Sequence, residues 1–164
     1  MPGHHGVVRP FEEIVQEHGP VVMRVCRALL APADAEDAWS ETFLSALQAY
    51  PQLRPDSNIQ GWLVTIAHRK AIDQRRGAAR RARPAGDLPD LATTDPSPID
   101  SSAPLRAALD ALPPKQRQAV IFHYLADLPY AEVATMIDSS EAAARRSAAD
   151  GIANLRRHTA GMPR

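Results

Sequence analysis

A chain of 164 residues with 45% hydrophobic side chains has material for one domain of ordinary size or two small ones. Its single cysteine, Cys26, excludes a disulfide framework and a cysteine-based zinc cluster, and no apolar run approaches the roughly 20 residues that span a bilayer. Basic and acidic side chains both number 19, a balance that argues against wholesale coating of a polyanion.

The first segment, Met1 to Pro10, lacks the apolar stretch of a secretory signal, so a cytoplasmic location is expected. From Phe11 onward apolar residues recur at three- and four-residue steps, with no strand alternation and no Asn-Gly or Asp-Gly hairpin signal, which predicts helices throughout. Phe11, Ile14, Val15, His18, Val22, Val25 and Leu29 form one stripe, in which Gly19-Pro20 predicts a kink or break. Pro32-Ala33-Asp34 is expected to stop that element, with Asp34 as N-cap of the next. Trp39, Phe43, Leu47 and Tyr50 give the second helix its inner face, and Pro51 lies past its end. Ser57 or Asn58 can cap a third helix with Ile59, Trp62, Leu63, Ile66 and Ala67 inward.

That third helix ends in the densest charge of the chain. Arg69, Lys70, Arg75, Arg76, Arg80, Arg81 and Arg83 stand against the single acid Asp73. Of the 19 basic residues only Lys70 and Lys115 are lysine. Arginine offers phosphate a planar, bidentate fork, so the bias suits nucleic acid. A GC-rich genome produces the same bias, and cations at a helix C-terminus also complement its dipole.

Residues 84–104 read as a flexible linker. They hold Pro84, Pro89, Pro96, Pro98 and Pro104 with Asp87, Asp90, Asp95 and Asp100 and no basic group, too little apolar surface to offset the entropy of ordering. The expected organisation is therefore two small helical domains, 1–83 and 105–164, on a Pro/Asp-rich tether. In the second, Leu105, Ala108, Leu109 and Leu112 predict a short helix ended by Pro113-Pro114. Another carries Val120, Ile121, Tyr124 and Leu125 to Pro129. Tyr130 to Ile137 and a helix from Glu141 to about His158, joined by Asp138-Ser139-Ser140, form a helix-turn-helix pattern. Ala144, Ala148, Ile152 and Leu155 mark the buried side of the last helix. Gly151 is expected to weaken it by about 1 kcal/mol relative to Ala.

Catalytic signatures are missing: there is no glycine-rich phosphate loop, no His-Glu-x-x-His and no nucleophile elbow. His18 and His68 read as structural histidines within helices, and Cys26 as a small core hydrophobe. No enzymatic activity, cofactor or metal site is expected.

Taken in order, several motifs together resemble the extracytoplasmic-function group of bacterial RNA polymerase sigma factors. They are Asp34-Ala-Glu-Asp37 with Glu41-Thr-Phe43, then Gly61-Trp-Leu-Val-Thr-Ile-Ala67 with Ala71-Ile-Asp73 and Arg75-Arg76. After the linker come Leu112-Pro-Pro-Lys-Gln-Arg117, Tyr130-Ala-Glu-Val-Ala134 and Ser140-Glu141. The resemblance covers Phe11 to Arg157. It implies an all-α protein of two units, region two and region four, that binds core RNA polymerase and promoter DNA and assists melting, with an anti-sigma factor as a further candidate partner.

Carried over by position, Asp37, Glu41 and Leu44 would dock on the polymerase. Asn58, Gln60, Trp62, Arg69, Arg75 and Arg76 would face the minus-ten element. Asn58 and Gln60 have the donors and acceptors to read a flipped base, Trp62 could stack on DNA or belong to the core, Arg75 and Arg76 would hold phosphates, and Arg69 would either alter base preference or contact a phosphate. Arg69 stands where the family commonly has Asn. Tyr130, Ser139, Ser140, Glu141, Ala142, Ala143, Arg145, Arg146 and Ala149 would face the minus-thirty-five element. Asp138 replaces the family's usual Gly, and Asp150 stands where the family has a basic residue and would repel phosphate, so a weaker grip is expected. Two rivals remain: a helix-turn-helix regulator that does not engage polymerase, and a degenerate sigma-like protein-interaction module.

Overall fold

The computed structural model describes residues 9–82 and 100–160, so most of the expected linker, Arg83, and the chain ends lie outside the described residues. Among the described residues every regular element is helical. Helix α1 runs Phe11–Leu29, with Glu12 and Glu13 at the positive end of its dipole. It buries Ile14, His18, Val22, Val25, Cys26 and Leu29, the spacing of one helical face. Of the kink or break expected at Gly19-Pro20, the break does not occur: Pro20 lies inside a continuous helix. Its missing N–H weakens one turn, and the neighbouring carbonyl of Gly19 accepts the Trp39 indole N–H at 2.9 Å, which braces that turn from outside.

Helix α2 spans Pro32–Ala49. Pro32 opens it rather than stopping α1: a proline at the first helical position loses no intrahelical bond. Asp34 is consequently in the first turn and not the cap, which is Ala31. The buried side of α2 is mostly small, with Ala35, Ala38, Thr42 and Ala46 beside Phe43, allowing close approach to α1. Phe11, Trp39, Phe43 and Tyr50 join in edge-on and tilted pairs, the closest being Trp39–Phe43 at 4.7 Å. Leu47, expected inward, is 51% exposed.

A 3-10 turn, Tyr50–Gln52, leads toward helix α3, Ile59–Arg81. The α3 cap is Asn58, whose Oδ1 accepts the Gly61 N–H at 2.9 Å. Leu63, Val64, Ala67 and Ala71 are buried, and Ile59, Trp62 and Ile66 pack partly buried against them. The three helices pack pairwise into one bundle.

The second unit begins before the expected end of the linker. Asp100 accepts the Ser102 N–H at 3.2 Å and pairs with Arg106 at 2.7 Å, and helix α4 runs Ala103–Asp110. The hydrogen bond from Arg106 holds the Asp100 carboxyl below its ordinary pKa. Ala103 and Pro104 therefore belong to α4, and Asp100 is held against it by the Arg106 side chain. Leu105 is 41% exposed, whereas Ala108, Leu109 and Leu112 are buried as expected.

Helix α5, Pro114–Val120, passes into a π-helical turn, Ile121–Leu125. The Ala126 N–H reaches Ile121 O at 2.9 Å, a five-residue step. That wider turn moves Tyr124 off the inner face, and it is exposed. Helices α6, Tyr130–Met136, and α7, Glu141–Ala160, complete the unit. Between them Asp138 adopts φ 56, a left-handed value that glycine adopts with least strain. Ser140 Oγ caps α7 by accepting the Ala143 N–H at 3.0 Å.

Ala144 and Ala148 are fully buried, and Ile152 and Leu155 are half-buried. Gly151 has a packing role that its helix propensity does not reveal. A Cβ there would lie 2.6 Å from Val120 Cγ2 and 3.2 Å from the Gln116 carbonyl oxygen, so the glycine permits α5 and α7 to touch.

Candidate functional site

Three surfaces collect the residues that the sequence singled out. The first is the outward side of α2. Asp37, Glu41 and Leu44 are all exposed, Leu44 at 63%. Leu47 extends the same side by one turn. Reading on from Leu44 by three residues would have found it, since that step stays on one face. Two exposed leucines beside two carboxylates make an apolar strip with an acidic border, unlike the alanine-rich side that faces α1 and α3.

The second surface is formed by the cap and outer face of α3. Asn58 is exposed, Gln60 and Trp62 are half-buried, Arg69 and Arg76 are exposed, and Arg75 is partly covered. The Asn58 oxygen is engaged in the helix cap. Gln60 is engaged at both ends of its amide: Oε1 accepts from His18 Nδ1 at 2.9 Å, and Nε2 donates to Ala126 O at 2.6 Å. Ala126 belongs to the second unit, so this residue bridges the two halves of the chain.

Other contacts follow the same seam. Arg75 pairs with Asp110 at 3.1 Å. Arg24 donates to Leu125 O at 2.8 Å, and Arg106 donates to Leu30 O at 3.2 Å. A Cβ on Gly61 would meet Glu132 Oε2 at 2.9 Å. His68 packs edge-on against Phe122 at 5.2 Å. Burial, reinforced by the positive charges of Arg117 and Arg75, lowers the His68 pKa to about 4. Arg24, His68, Asp110, Phe122 and Glu132 were not singled out for this role, because a contact between segments far apart in sequence leaves no local pattern.

The third surface is the helix-turn-helix. Ala142, Ala143, Arg145, Arg146, Ala149 and Asp150 are exposed along α7, with Ser140 and Glu141 at its start and Ser139 half-buried before it. Tyr130, at the start of α6, lies within reach of Arg145: the guanidinium carbon is 4.8 Å from its ring centre. Burial, then the hydrogen bond with Tyr124, raises the Tyr130 pKa above that of a free phenol. The exposed Asp150 adds negative charge to an otherwise arginine- and alanine-lined face.

Cys26 is fully buried, and desolvation pushes its thiol up to about 12, so it stays protonated and packs as a hydrophobe. Among the described residues no group of His, Cys, Asp and Glu is arranged to hold a metal ion. No helix among them is long and apolar enough to cross a membrane.

Comparison with known proteins agrees with this division into two units. Residues 14–81 match the Sigma-70 region 2 family and residues 102–155 match Sigma-70, region 4. The chain is 32% identical to the ECF RNA polymerase sigma factor SigE of Mycolicibacterium smegmatis, covering 80% of this chain and 54% of the relative. It therefore spans about half the length of that protein. It is 31% identical to the ECF RNA polymerase sigma factor SigD of Mycobacterium tuberculosis, over 82% of this chain and 70% of the relative. The fold is similar to that of the sigma factor RpoE of Bartonella quintana, crystallised with the anti-sigma factor NepR. The TM-score is 0.73 at 18% identity, covering 93% of this chain and 98% of that one. With two family regions in order, separated by a gap, and a relative such as SigD matched over most of both chains, the protein belongs to the extracytoplasmic-function family of RNA polymerase sigma factors.

Proposed function

We propose that this sigma factor docks on core RNA polymerase through the outward side of α2 and reads promoter DNA with α3 and α7. Exposed Leu44 and Leu47 beside Asp37 and Glu41 carry the docking reading. A helix with a well-buried opposite side has no internal reason to expose two leucines, and burying them against a partner recovers their hydrophobic contribution. The carboxylates would select a basic surface and steer its approach.

On the promoter side, Asn58, Gln60 and Trp62 would handle unpaired bases of the minus-ten element, and Arg69, Arg75 and Arg76 the phosphates beside them. Tyr130, Ser139, Ser140, Glu141, Ala142, Ala143, Arg145, Arg146 and Ala149 would face the minus-thirty-five duplex. The protein acts by binding and positioning, with no bond-making step of its own, in the cytoplasm. We extend to it the anti-sigma class of partner with which its structural relative was crystallised.

The test uses Asp37→Arg with Glu41→Arg in the full chain. Helical content should be unchanged, since both positions are exposed, while co-purification with core polymerase and promoter-specific transcripts should be lost. A double variant that associates normally with core overturns the docking assignment. Tight promoter binding by the parent chain without core would favour the helix-turn-helix regulator.

A further inference from the structure

His123, Tyr130 and Arg145 form a stack of side chains in the region-four unit. The π-helical turn Ile121–Leu125 carries His123, and turns of this kind concentrate at functional sites. His123 Nδ1 donates to Leu128 O at 2.8 Å. A carbonyl can only accept, so this bond fixes both the tautomer and the plane of the ring. The ring then lies 3.7 Å from that of Tyr130, at an angle of 14°. At this separation the imidazole fills one face of the phenol, which leaves the other for the Arg145 guanidinium. Glu141 holds the same guanidinium from the side, Nη2 to Oε2, at 2.8 Å.

Arg145 is long and its side chain is 60% exposed. A lone ion pair one helical turn away contributes little at such a site. Here the arginine instead rests on an aromatic ring that is itself backed by a second ring, anchored to main chain. Cation–π contact and stacking together narrow the directions that the guanidinium samples, which reduces the entropy lost when it engages a ligand.

We propose that His123 is a positioning residue for promoter recognition: through Tyr130 it aims Arg145 of α7 at the DNA. The proposal rests on the reading of α7 as the face toward the minus-thirty-five element. His123 touches no DNA in this arrangement. Its contribution passes through the Tyr130 ring to the guanidinium, so most of it should disappear when Arg145 is removed.

The test is a double-mutant cycle in the full chain assembled with core polymerase, measured as affinity for a duplex promoter fragment across a salt series. Arg145→Ala should weaken binding and lower the salt slope by about 0.9 if the guanidinium neutralises one phosphate. His123→Ala should weaken binding about two- to tenfold, the range expected of one aromatic and one cation–π contact. In the Arg145→Ala background it should change binding by less than about twofold. His123→Phe keeps a flat ring against Tyr130 but loses the bond to Leu128 O, so it should recover only part of the affinity, with melting followed for each variant to confirm folding. Equal losses from His123→Ala in both backgrounds overturn the positioning role and leave the reading of α7 intact. No loss from Arg145→Ala overturns that reading and the proposal with it.

Discussion

The two DNA-facing surfaces proposed here differ in what already touches them. On region two, Gln60 is bonded to His18 and to Ala126, and Arg75 is paired with Asp110. On region four, Ala142, Arg146 and Ala149 are exposed along one side of α7. One surface is used to hold the two halves of the chain together, while the other faces outward. On the proposed reading the face of α7 can meet a duplex in the arrangement seen here, whereas Gln60 would first have to give up its bond to the other half. A side chain's chemistry indicates what it could read, and its present partners determine whether it is available.

The strongest way to break this contrast is to disturb the seam by pH. His68 sits against Phe122 of the other half and is neutral in the folded chain. Its pKa falls from the ordinary 6.5 to about 4, chiefly through burial. Because the folded-state value is depressed, the unfolded chain binds more protons between these limits. The stabilisation by neutral His68 is complete above about pH 6.5 and is lost as the pH falls toward 4. Denaturant titrations should show a loss of up to about 2 kcal/mol from this residue between pH 7.5 and pH 5. His68→Phe should flatten that dependence. If parent and variant decline alike, the imidazole is better solvated than its burial indicates.

Gly151 sharpens the other side of the comparison, since α5 and α7 meet through it. Replacement by alanine improves helix propensity by about 1 kcal/mol, yet overpacking against Val120 and the Gln116 carbonyl costs about 1–3 kcal/mol. Gly151→Ala should therefore lower stability by about 1 kcal/mol. Thermal melting gives the sign directly, and a higher midpoint would mean that α5 yields easily.

The smallest effect is expected at Asp138. A left-handed φ of 56 strains a residue with a Cβ, and glycine removes that strain while adding freedom to the unfolded chain. Asp138→Gly should stabilise by about 0.5 kcal/mol, read as a small rise in melting temperature. It should also raise promoter affinity slightly, because a carboxylate next to the α7 cap is removed.

Much of this architecture is legible in the sequence for a simple reason. Apolar steps of three and four identify helices whatever they pack against, and Asn58 and Ser140 are polar caps directly before helical runs. The errors come from places where one local signal has two meanings. Pro32 can end one helix or begin another. Leu47 and Leu105 fit an inward stripe by spacing alone, but small residues already fill the corresponding interface or the helix is too short to bury both sides. Tyr124 turns outward because the π turn changes the helical step on which an inward direction depends. The site is legible in its parts: Leu44 and Arg146 face outward as their spacing requires. Its closure is not. The bond from Gln60 to Ala126 spans 66 residues, and Gly61 opposite Glu132 or His68 opposite Phe122 leaves no periodicity to detect.

The amide of Gln60 also sets a condition on affinity. If Gln60 reads a base as proposed, a nucleobase that takes its Nε2 must displace the Ala126 carbonyl, so binding competes with an internal equilibrium. Were one molecule in a hundred open, apparent affinity at that position would fall about a hundredfold. Any partner that keeps the halves apart would return the same factor as positive cooperativity, without touching the base at all. Promoter reading by region two would then be a property of the assembled complex, with the chain alone supplying only a small competent population.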